Sequence, residues 1–590
     1  MLDLVRDSTF GQIVNWASKG RLLPYADQRS DYVVPARYLS RQNASPLPLP
    51  VSQAPTLESG AVTLVDESGV CAEKKQLGSD AGDIEKQAQP DSGAVEPPSA
   101  RYPWLVDFDE NDPDRPLNWS SRKRLFVAGL VSLLTFSVYV GSAIYTSSIP
   151  GIMEEFGIGQ VGATAGLTLF VAAYGMAPNA SLASSSPFSL VELTLLPRAV
   201  VLSPMQEIPR WGRLPVYIIG LALFVIFQIP QVLAENVATV LVFRFLSGAV
   251  GSPALATGGA SMGDIYPPKQ LAIAIGAWSM GAVCGPIAGP VIGGFAAQGM
   301  NWRWPLLELL WISGFAFVVL FFTFPETLES TILIRRAERL RKLTGNTMLK
   351  APAEVDVGED DKLGHLLKET ISRAFRLAVE PSLAVCHLYI ALVYAVFYLW
   401  FEAFPLTFNE IHHFSLGTGG LPYLTFVVSA AITFPAYCLY QKYHLNPRME
   451  RDPNLKPEAR LEIALIAAPF IPASLLIFGW TARESVHWMA PVVGAGLYLP
   501  GIFLAFQGIM VYVTMSYPKY AASNLAANDL FRSTIASAFP LFGARYFTVL
   551  GIGPGSTLLA GVSMLMMPLL WVPHIKYGPV LRARSKFAQG

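Results

Sequence analysis

Long apolar runs are the feature that most constrains how this chain can fold. From Phe126 onward, apolar stretches of about 20 residues alternate with short polar links. A helix of that length crosses the hydrocarbon core of a bilayer and satisfies its own backbone hydrogen bonds in lipid. The pattern predicts twelve spanning helices, near residues 126–147, 163–182, 215–234, 237–259, 271–297, 304–324, 382–405, 419–440, 461–480, 488–514, 526–550 and 555–574.

Composition agrees with a membrane protein. Of the 590 residues, 52% are hydrophobic and only 15% are charged, whereas a soluble domain carries about 25% charged residues. The formal net charge is zero, so no general attraction to nucleic acid is expected. The predicted fold class is an all-α membrane protein with twelve transmembrane helices in two six-helix halves, surrounded by the lipid bilayer.

Five parts of the chain differ in polarity. A duplicated layout of six spans, a charged connector and six more spans is a recurring transporter architecture. The stretch before the first span is rich in Pro, Ser and Asp, which predicts a disordered tail. The predicted parts are a cytoplasmic tail at 1–121, a first half at 122–325, a cytoplasmic connector at 326–381, a second half at 382–575 and a cytoplasmic tail at 576–590.

Orientation follows from Lys and Arg in the links, because basic residues concentrate on the cytoplasmic side. The connector holds ten of them, and residues 441–460 hold five more. The opposite side holds only Arg303, Arg483 and Arg545. This imbalance predicts that both termini lie in the cytoplasm.

The fifth predicted span contains GAVCGPIAGPVIGGF at residues 281–295. On a helix, Gly281, Gly285 and Gly289 recur every four residues and form a smooth face that permits close helix contact. Pro286 and Pro290 loosen the same helix. Two interpretations stay open, a static packing stripe and a bendable hinge between moving parts.

The pattern G-x-x-x-G-P-x-x-G-P in the fifth span resembles a signature of antiporters in the major facilitator superfamily. This resemblance implies a close, bendable contact between the two halves. SPMQEIPRWGRLPVY resembles the loop after the second helix of that superfamily. It supplies the residues of an implied cytoplasmic latch against the fourth and eleventh helix ends, namely Glu207, Arg210, Gly212 and Arg213.

Arg244 and Asp264 mark the fourth span. Arg244 followed by Gly248 resembles the R-x-x-x-G element of the same superfamily. An arginine inside a spanning helix is costly and usually faces a partner or a watery cavity. Arg244 is therefore a candidate for proton coupling, with a structural ion pair as the alternative. Asp264 closes the span and is a second candidate for proton binding.

A finer resemblance is to the fungal twelve-span drug:proton antiporters. It rests on DENDPDRPLNWSSRKR before the first span, NWRWP after the fifth, FPETLEST after the sixth and FEAFP in the seventh. The likeness covers residues 102–590 except 179–201, a Ser- and Leu-rich stretch without a counterpart in the pattern. We interpret 179–201 as a retained intron or an insertion, either of which would displace the latch and impair transport.

Ionisable groups are sparse in the second half. Glu402 lies near the outer end of the seventh span, where a carboxylate can bind a proton or a cationic ligand, unless it is simply solvated. Asp529 and Arg532 are three residues apart at the start of the eleventh span and can pair on one helix face. They are candidates for gating or for interfacial anchoring. Five aromatic residues of the seventh span are candidates for lining a cavity, with ordinary aromatic enrichment at membrane ends as the alternative. They are Tyr394, Tyr398, Trp400, Phe401 and Phe404.

No catalytic or metal-ligand cluster appears in the sequence, and a P-loop is absent. No enzyme activity, cofactor or metal is therefore expected. The resemblance implies export of a small organic compound, such as a drug, a toxin or a secondary metabolite, in exchange for protons. It also implies a monomer in the plasma membrane, with the vacuolar membrane as the alternative. The other functions considered are a polyamine or nutrient porter of the same fold and a transport-inactive membrane protein.

Overall fold

The computed structural model of the chain describes residues 2–29, 32–35, 38–39, 104–176, 212–356, 376, 380–452, 456–516, 521–572, 577–578 and 580. Within these residues the secondary structure is helical, apart from one isolated β-bridge between Leu105 and Lys350. The predicted all-α class is therefore confirmed. The stretch 179–201 and the latch residues Glu207 and Arg210 lie outside the described residues.

Two short helices, α1 (Leu2–Asp7) and α2 (Thr9–Ala17), open the chain. The six long helices of the first half are α3 (Ser121–Ala143), α4 (Gln160–Met176), α5 (Arg213–Val232), α6 (Val237–Ala256), α7 (Pro268–Gly299) and α8 (Trp304–Thr323). Short helices at Ile149–Phe156 and Gly258–Ile265 follow α3 and α6. Capping explains where α6 begins, because the Asn236 side chain accepts a hydrogen bond from the Thr239 backbone nitrogen at 2.8 Å.

Helix α9 (Glu329–Thr344) follows the first half and ends at Gly345, whose φ of 70° suits glycine. The long helices of the second half are α10 (Pro381–Phe404), α11 (Leu424–Tyr440), α12 (Phe470–Thr481), α13 (Tyr498–Ser516), α14 (Ala521–Leu550) and α15 (Ile552–Val572). Shorter helices lie at Pro352–Asp356, Asn446–Arg451, Glu462–Ala467 and Met489–Gly496.

Helices are present at the positions of the twelve predicted spans. By length and hydropathy, nine helical segments of the described residues can cross a membrane. Two further apolar helices, Gln160–Met176 and Ile552–Pro568, are shorter. The multi-pass membrane architecture is therefore confirmed, whereas the number twelve stays a prediction. The nine segments are Ser121–Phe156, Arg213–Val232, Val237–Ile265, Pro268–Gly299, Trp304–Thr323, Leu383–Ile411, Thr418–Arg451, Pro457–Thr481 and Met489–Ser516.

Helix α7 runs unbroken through Pro286 and Pro290, and its glycine face packs on α3. A Cβ added at Gly281 would lie 3.0 Å from the Ser132 carbonyl oxygen, and one at Gly289 would lie 2.6 Å from the Ile144 nitrogen. Because α3 belongs to the first half, this stripe is a contact within one half. The sequence resemblance implied a contact between the halves, and that expectation is wrong for these glycines.

Other positions of α7 contact the second half. A Cβ at Gly276 would lie 3.0 Å from the ring of Tyr437 on α11, and one at Gly294 would lie 2.8 Å from the Leu416 carbonyl oxygen. The side chain of Gln507 on α13 donates to the Ser279 hydroxyl at 2.8 Å. Helix α7 therefore packs tightly within its own half and also forms part of the boundary with the other half.

A small folded unit covers one end of the helix bundle, and we call it the cap. It consists of the described residues of 2–39, residues 104–118 and residues 326–356. Its apolar core contains Tyr38, Val106, Leu333, Ile334, Ala337, Leu340, Leu349 and Ala351. We call the end of the bundle that carries the cap the connector end. The prediction of a disordered tail over 1–121 is wrong for residues 2–29 and 104–118. Val106 is buried among apolar residues of the connector. Residues 2–29 form two helices, with Phe10 packed against Phe322 and Asp27 paired with Arg339.

Ion pairs join the three segments of the cap. Arg336 on α9 contacts the carboxylates of Asp112 and Asp114. The side-chain nitrogen Nε of Arg339 lies 2.7 Å from a carboxylate oxygen of Asp27. Burial alone would lower the pKa of Arg336, but hydrogen bonding and attraction from the two aspartates outweigh it and raise that pKa. The guanidinium therefore stays charged, and the pairs hold the cap together.

Candidate functional site

Arg244 on α6 is fully buried inside the first half. Its guanidinium donates to the Gly141 carbonyl at 2.7 Å, to the Gly166 carbonyl at 3.2 Å and to the Ser142 carbonyl at 3.5 Å. The guanidinium carbon lies 4.6 Å from the ring centre of Tyr145 and 4.5 Å from that of Phe170.

Backbone carbonyls and aromatic faces thus surround the Arg244 charge, and no ion pair to Arg244 is found among the described residues. This geometry lets Arg244 hold α3 and α4 against α6. The alternative predicted from the sequence was a structural ion pair. The structure shows instead hydrogen bonds from Arg244 to three backbone carbonyls. A proton-coupling role for Arg244 stays a prediction.

Gly248, four residues after Arg244, explains the R-x-x-x-G spacing. A Cβ at this position would collide with the Phe170 carbonyl oxygen of α4 and lie 3.1 Å from the Ala173 side chain. Glycine therefore lets α6 approach α4 closely enough for the guanidinium to reach both neighbouring helices. The sequence element encodes close packing around a buried cation.

Asp264 lies at the connector end and is held by Arg213, the first residue of α5. The Arg213 Nε is 2.6 Å from one Asp264 carboxylate oxygen, and its Nη2 is 3.3 Å from the other. The Thr327 hydroxyl donates to Asp264 at 3.2 Å. Because the carboxylate is already paired in this way, the geometry favours a structural role for Asp264. It is not brought together with Glu402 or Asp529.

Glu326 completes this cluster and was not singled out by sequence reasoning. Its carboxylate accepts hydrogen bonds from the backbone nitrogens of Arg213 at 3.0 Å and Leu214 at 3.2 Å. Gly212 has a φ of 75°, and a side chain there would collide with the Glu326 carboxylate. The described part of the predicted latch, Gly212 and Arg213, therefore joins the start of α5 to the residues after α6 and α8. Glu326 lies in FPETLEST, one of the stretches on which the family resemblance rests, and that stretch could have identified it.

A buried ion pair lies on α14. The carboxylate of Asp529 accepts a hydrogen bond from the Arg532 guanidinium and a longer one, 3.3 Å, from the Ser533 hydroxyl. Both charged side chains are almost completely buried. The pairing expected from their spacing of three residues is therefore present. Burial of both groups rules out a simple solvated anchor at the membrane surface.

Tyrosines surround the Asp529–Arg532 pair. The Arg532 guanidinium carbon lies 4.6 Å from the ring centre of Tyr394 on α10 and 5.2 Å from that of Phe506 on α13. The Tyr174 hydroxyl on α4 lies 3.1 Å from the hydroxyls of both Tyr394 and Tyr398. We call the four residues Tyr139, Tyr174, Tyr394 and Tyr398 the tyrosine cluster.

The tyrosine cluster spans the boundary between the two halves. Tyr139 and Tyr174 belong to the first half, and their rings meet edge-on with centres 6.1 Å apart. Helices α4 and α14 approach so closely nearby that a Cβ at Gly175 would collide with Ser533. The charged pair and the cluster thus lie where α4, α10 and α14 meet. Sequence reasoning identified Tyr394 and Tyr398 but missed Tyr139 and Tyr174.

Glu402 is buried on α10, about 12 Å along that helix from Tyr394. Gln160, the first residue of α4, donates to its carboxylate at 3.5 Å. A Cβ at Gly543 on α14 would lie 3.0 Å from the Glu402 side chain. Glu402 therefore also lies at the meeting of α4, α10 and α14, nearer the end opposite the connector end. The alternative of a solvated helix end is wrong.

Other aromatic residues of α10 belong to the core of the second half. The Trp400 ring lies 4.6 Å from that of Phe478 and 5.5 Å from that of Tyr498, centre to centre. Phe404 stacks on Phe426 with ring centres 5.8 Å apart. These contacts leave Tyr394 and Tyr398 as the aromatic residues of α10 that take part in the boundary between the halves.

Metal ligation finds no support in this geometry. Across the part of the chain that the structure describes, no group of three His, Cys, Asp or Glu side chains could hold a metal ion. The described cysteines Cys284, Cys386 and Cys438 form no disulfide. What the site offers chemically is a buried acid–base pair, a second buried acid and a set of phenol hydroxyls.

Known proteins resemble this chain in sequence and fold. The chain is 40% identical to "Transporter mfs1" of Schizosaccharomyces pombe, over 82% of this chain and 88% of that protein. It is 35% identical to "Cycloheximide resistance protein" of Candida maltosa over 100% of both chains. The structure superposes on the xylose transporter XylE from E. coli with a TM-score of 0.51 and 12% identity, covering 76% of this chain and 98% of XylE.

A family model described as "Major Facilitator Superfamily" matches residues 131–540, which include α4, α6, α7 and α10 and the Asp529–Arg532 pair. The predicted resemblance to fungal drug-resistance transporters of this superfamily is confirmed by the relatives. The chain therefore belongs to the Major Facilitator Superfamily and is a membrane transport protein rather than an enzyme.

Proposed function

We propose that this transporter exports small organic compounds from the cell in exchange for protons entering it. In this proposal twelve helices span the plasma membrane, both termini lie in the cytoplasm, and the two halves of a monomer rock around a central site. The relative named for cycloheximide resistance supports export of a lipophilic drug or toxin. The distribution of Lys and Arg supports the orientation.

The observation that carries the proposal is the Asp529–Arg532 pair next to the tyrosine cluster. Charged groups buried within a membrane protein are costly, and they usually serve transport or coupling. Here the pair faces a boundary that must open when the halves move. A proton on Asp529 would neutralise the carboxylate and weaken its hold on Arg532, so protonation and movement of α14 would be linked.

Glu402 supplies a second acid on the same boundary. The neutral Gln160 donates a hydrogen bond to it, and no ion pair to Glu402 is found among the described residues. Because a lone buried carboxylate is poorly solvated, binding a proton there would offset much of the cost of burial. Glu402 and Asp529 could thus be loaded from opposite ends of the boundary. Asp264 and Arg244 would keep structural roles.

Chemistry of the cluster suggests the class of substrate. Phenol hydroxyls and aromatic faces suit lipophilic molecules that carry a few hydrogen-bonding groups. A polyamine would meet the Arg532 guanidinium beside the Asp529 carboxylate, so this alternative is less favoured. A transport-inactive protein would require that residues 179–201 disturb the bundle, and the Arg213–Asp264 contact shortly after that stretch is formed.

The test measures efflux from yeast cells that lack their own drug pumps. Wild type, Asp529→Asn and the control Glu235→Gln are compared, with and without a protonophore. Glu235 is an exposed acid between α5 and α6, so its amide variant matches the chemical change without touching the boundary. We expect Asp529→Asn to lose about 90% or more of the efflux, as expected when a group essential to coupling is removed. We expect Glu235→Gln to retain the efflux.

A second measurement separates loss of coupling from loss of folding. In proteoliposomes without a proton gradient, purified Asp529→Asn should still exchange labelled for unlabelled substrate, because the amide mimics the protonated acid. Accumulation driven by a proton gradient should be lost. Gradient-driven accumulation at the wild-type rate would refute the role of Asp529. Wild-type chain and a variant without residues 179–201 are compared in the same assay, and activity confined to the shortened chain would identify that stretch as inhibitory.

A further inference from the structure

Helix α2 has a fixed orientation at the connector end. The Ser8 hydroxyl accepts from the Gly11 backbone nitrogen at 3.2 Å and caps the helix. The Asn15 side chain is buried and donates to the Leu23 carbonyl and to the Gln28 side chain, both at 2.9 Å. These bonds fasten the Gly11–Asn15 face of α2 to the rest of residues 2–29.

One edge of α2 rests on the spanning helices. The rings of Phe10 and Phe322 lie 4.9 Å apart, and α2 also contacts α5. The outward faces of α5 and α8 carry exposed apolar side chains, among them Ile219, Phe315 and Val318. In a membrane those faces touch lipid. Helix α2 therefore lies at the rim where the lipid-facing surface of the bundle ends.

The remaining face of α2 is apolar, and no described residue of the chain covers it. Trp16 is 82% exposed and Ile13 is 51% exposed, and these residues lie three apart on one side of the helix. Leu22, just beyond the helix, is also exposed. Lys19, Arg21 and Arg29 follow shortly after in the chain and expose basic side chains. We call Ile13, Trp16, Leu22, Lys19, Arg21 and Arg29 the α2 surface.

We propose that the α2 surface inserts into the headgroup layer of the membrane leaflet at the connector end and prefers anionic lipids. Tryptophan is favoured at this depth because its ring is apolar while its N–H can still hydrogen-bond. Basic residues near the surface add attraction to anionic headgroups. The occupant is lipid because the surface continues the lipid-facing sides of α5 and α8.

Contacts on the far side of residues 2–29 link this lipid surface to the connector. The side chain of Arg335 on α9 donates a hydrogen bond to the Gln12 side chain at 3.2 Å. Arg339, also on α9, pairs with Asp27. The inserted helix would therefore anchor the cap to the leaflet. This role does not depend on which compound the protein transports or in which direction.

The test uses the full chain with its four cysteines replaced and one new cysteine introduced, either Trp16→Cys or the control Lys342→Cys. Lys342 is an exposed residue in the last turn of α9. Each variant carries a bimane fluorophore and is placed in nanodiscs of phosphatidylcholine, with or without phosphatidylserine. Quenching is measured with nitroxide groups attached to lipid headgroups and with iodide in water.

We expect lipid nitroxides to quench the label at position 16 at least about twofold more than the label at position 342, as a shallow interfacial helix requires. Iodide should show the reverse order. Equal quenching at both positions by both agents, or stronger iodide quenching at position 16, would overturn the proposal. Phosphatidylserine should increase the quenching of the label at position 16 by lipid nitroxides. The double variant Lys19→Glu/Arg21→Glu should lose this increase in quenching, and Lys342→Glu should retain it. An unchanged increase in the double variant would overturn the preference for anionic lipid.

Discussion

Alanine at Gly289 tests how closely α7 and α3 must approach. The added Cβ would lie 2.6 Å from the Ile144 nitrogen and 2.9 Å from the Ala143 carbonyl carbon. Ordinary contacts of a Cβ begin at 3.4 Å. The two backbones would therefore have to separate by several tenths of an ångström. Neither partner atom belongs to a flexible side chain, so the helices themselves must move.

The expected cost follows from these distances. Overpacking of this kind typically destabilises a protein by about 1–3 kcal/mol. Alanine also favours the helix over glycine by about 1 kcal/mol, which offsets part of that cost. We therefore expect Gly289→Ala to lower the free energy of unfolding by up to about 2 kcal/mol. For a half of about 200 residues this corresponds to a thermal midpoint up to about 8 °C lower.

Gly129→Ala is the matched control. Gly129 lies on α3, the partner helix, and an added Cβ would meet nothing within 4 Å. Its thermal midpoint should stay unchanged or rise. Both variants are purified in detergent, and unfolding is followed by tryptophan fluorescence and by loss of the monodisperse chromatographic peak. A midpoint for Gly289→Ala at or above that of Gly129→Ala would refute the packing argument.

Efflux by the variants Gly289→Ala and Gly129→Ala distinguishes the two interpretations of the glycine stripe, static packing and hinge bending. If the stripe only packs, efflux per folded molecule should remain normal in Gly289→Ala. If bending of α7 is part of the cycle, efflux per folded molecule should fall although the protein remains folded. The measurement therefore tests the hinge separately from stability.

Two further predictions concern buried charges. Arg244→Lys should lower the yield of folded protein, because a compact ammonium lacks the fork with which the three guanidinium nitrogens reach carbonyls on two helices. Leaving one buried carbonyl unpaired costs about 1–3 kcal/mol. Folding is measured by chromatography and transport by efflux; normal folding with loss of proton dependence alone would favour coupling. Burial raises the pKa of Asp7, although Arg6 and Lys123 lower it. The contribution of Asp7 to the docking of residues 2–29 should therefore be greatest below the ordinary aspartate pKa of about 3.9 and be lost as the pH rises through the raised value. Hydrogen exchange of this segment, corrected for intrinsic rates, should show this contribution as the difference between the wild type and Asp7→Asn, because the pair of Asp27 with Arg339 is common to both.

Much of the bundle follows from the sequence because lipid imposes a simple rule on helix length. Apolar runs gave helix positions close to those observed, such as α8 at Trp304–Thr323 for the predicted 304–324. The Asp529–Arg532 pair was predictable because residues three apart share a helix face. The tyrosine cluster was not, because Tyr174 and Tyr394 are brought together only by packing of helices from different halves.

The cap was missed for a related reason. Its N-terminal apolar residues are too sparse to bury one another, which is the pattern of a disordered tail. Their partners, including Leu333 and Leu340, occur about 300 residues later in a segment that appears merely charged. The same separation hides the pairing of Asp27 with Arg339. Local sequence patterns therefore predict single helices. They do not predict an apolar core, such as that of the cap, that forms from segments far apart in the sequence.

The cap also changes how the covalent tether between the halves should be understood. Because residues up to Asp356 are attached to the first half, only 24 residues separate that point from Pro381, where α10 begins. A chain of that length can still extend to about 80 Å, well beyond the thickness of a bilayer. The tether therefore sets no limit on rocking by its length. The amplitude must instead be set by noncovalent contacts such as those between α4 and α14, so variants along that boundary should alter the cycle more than shortening the tether by several residues.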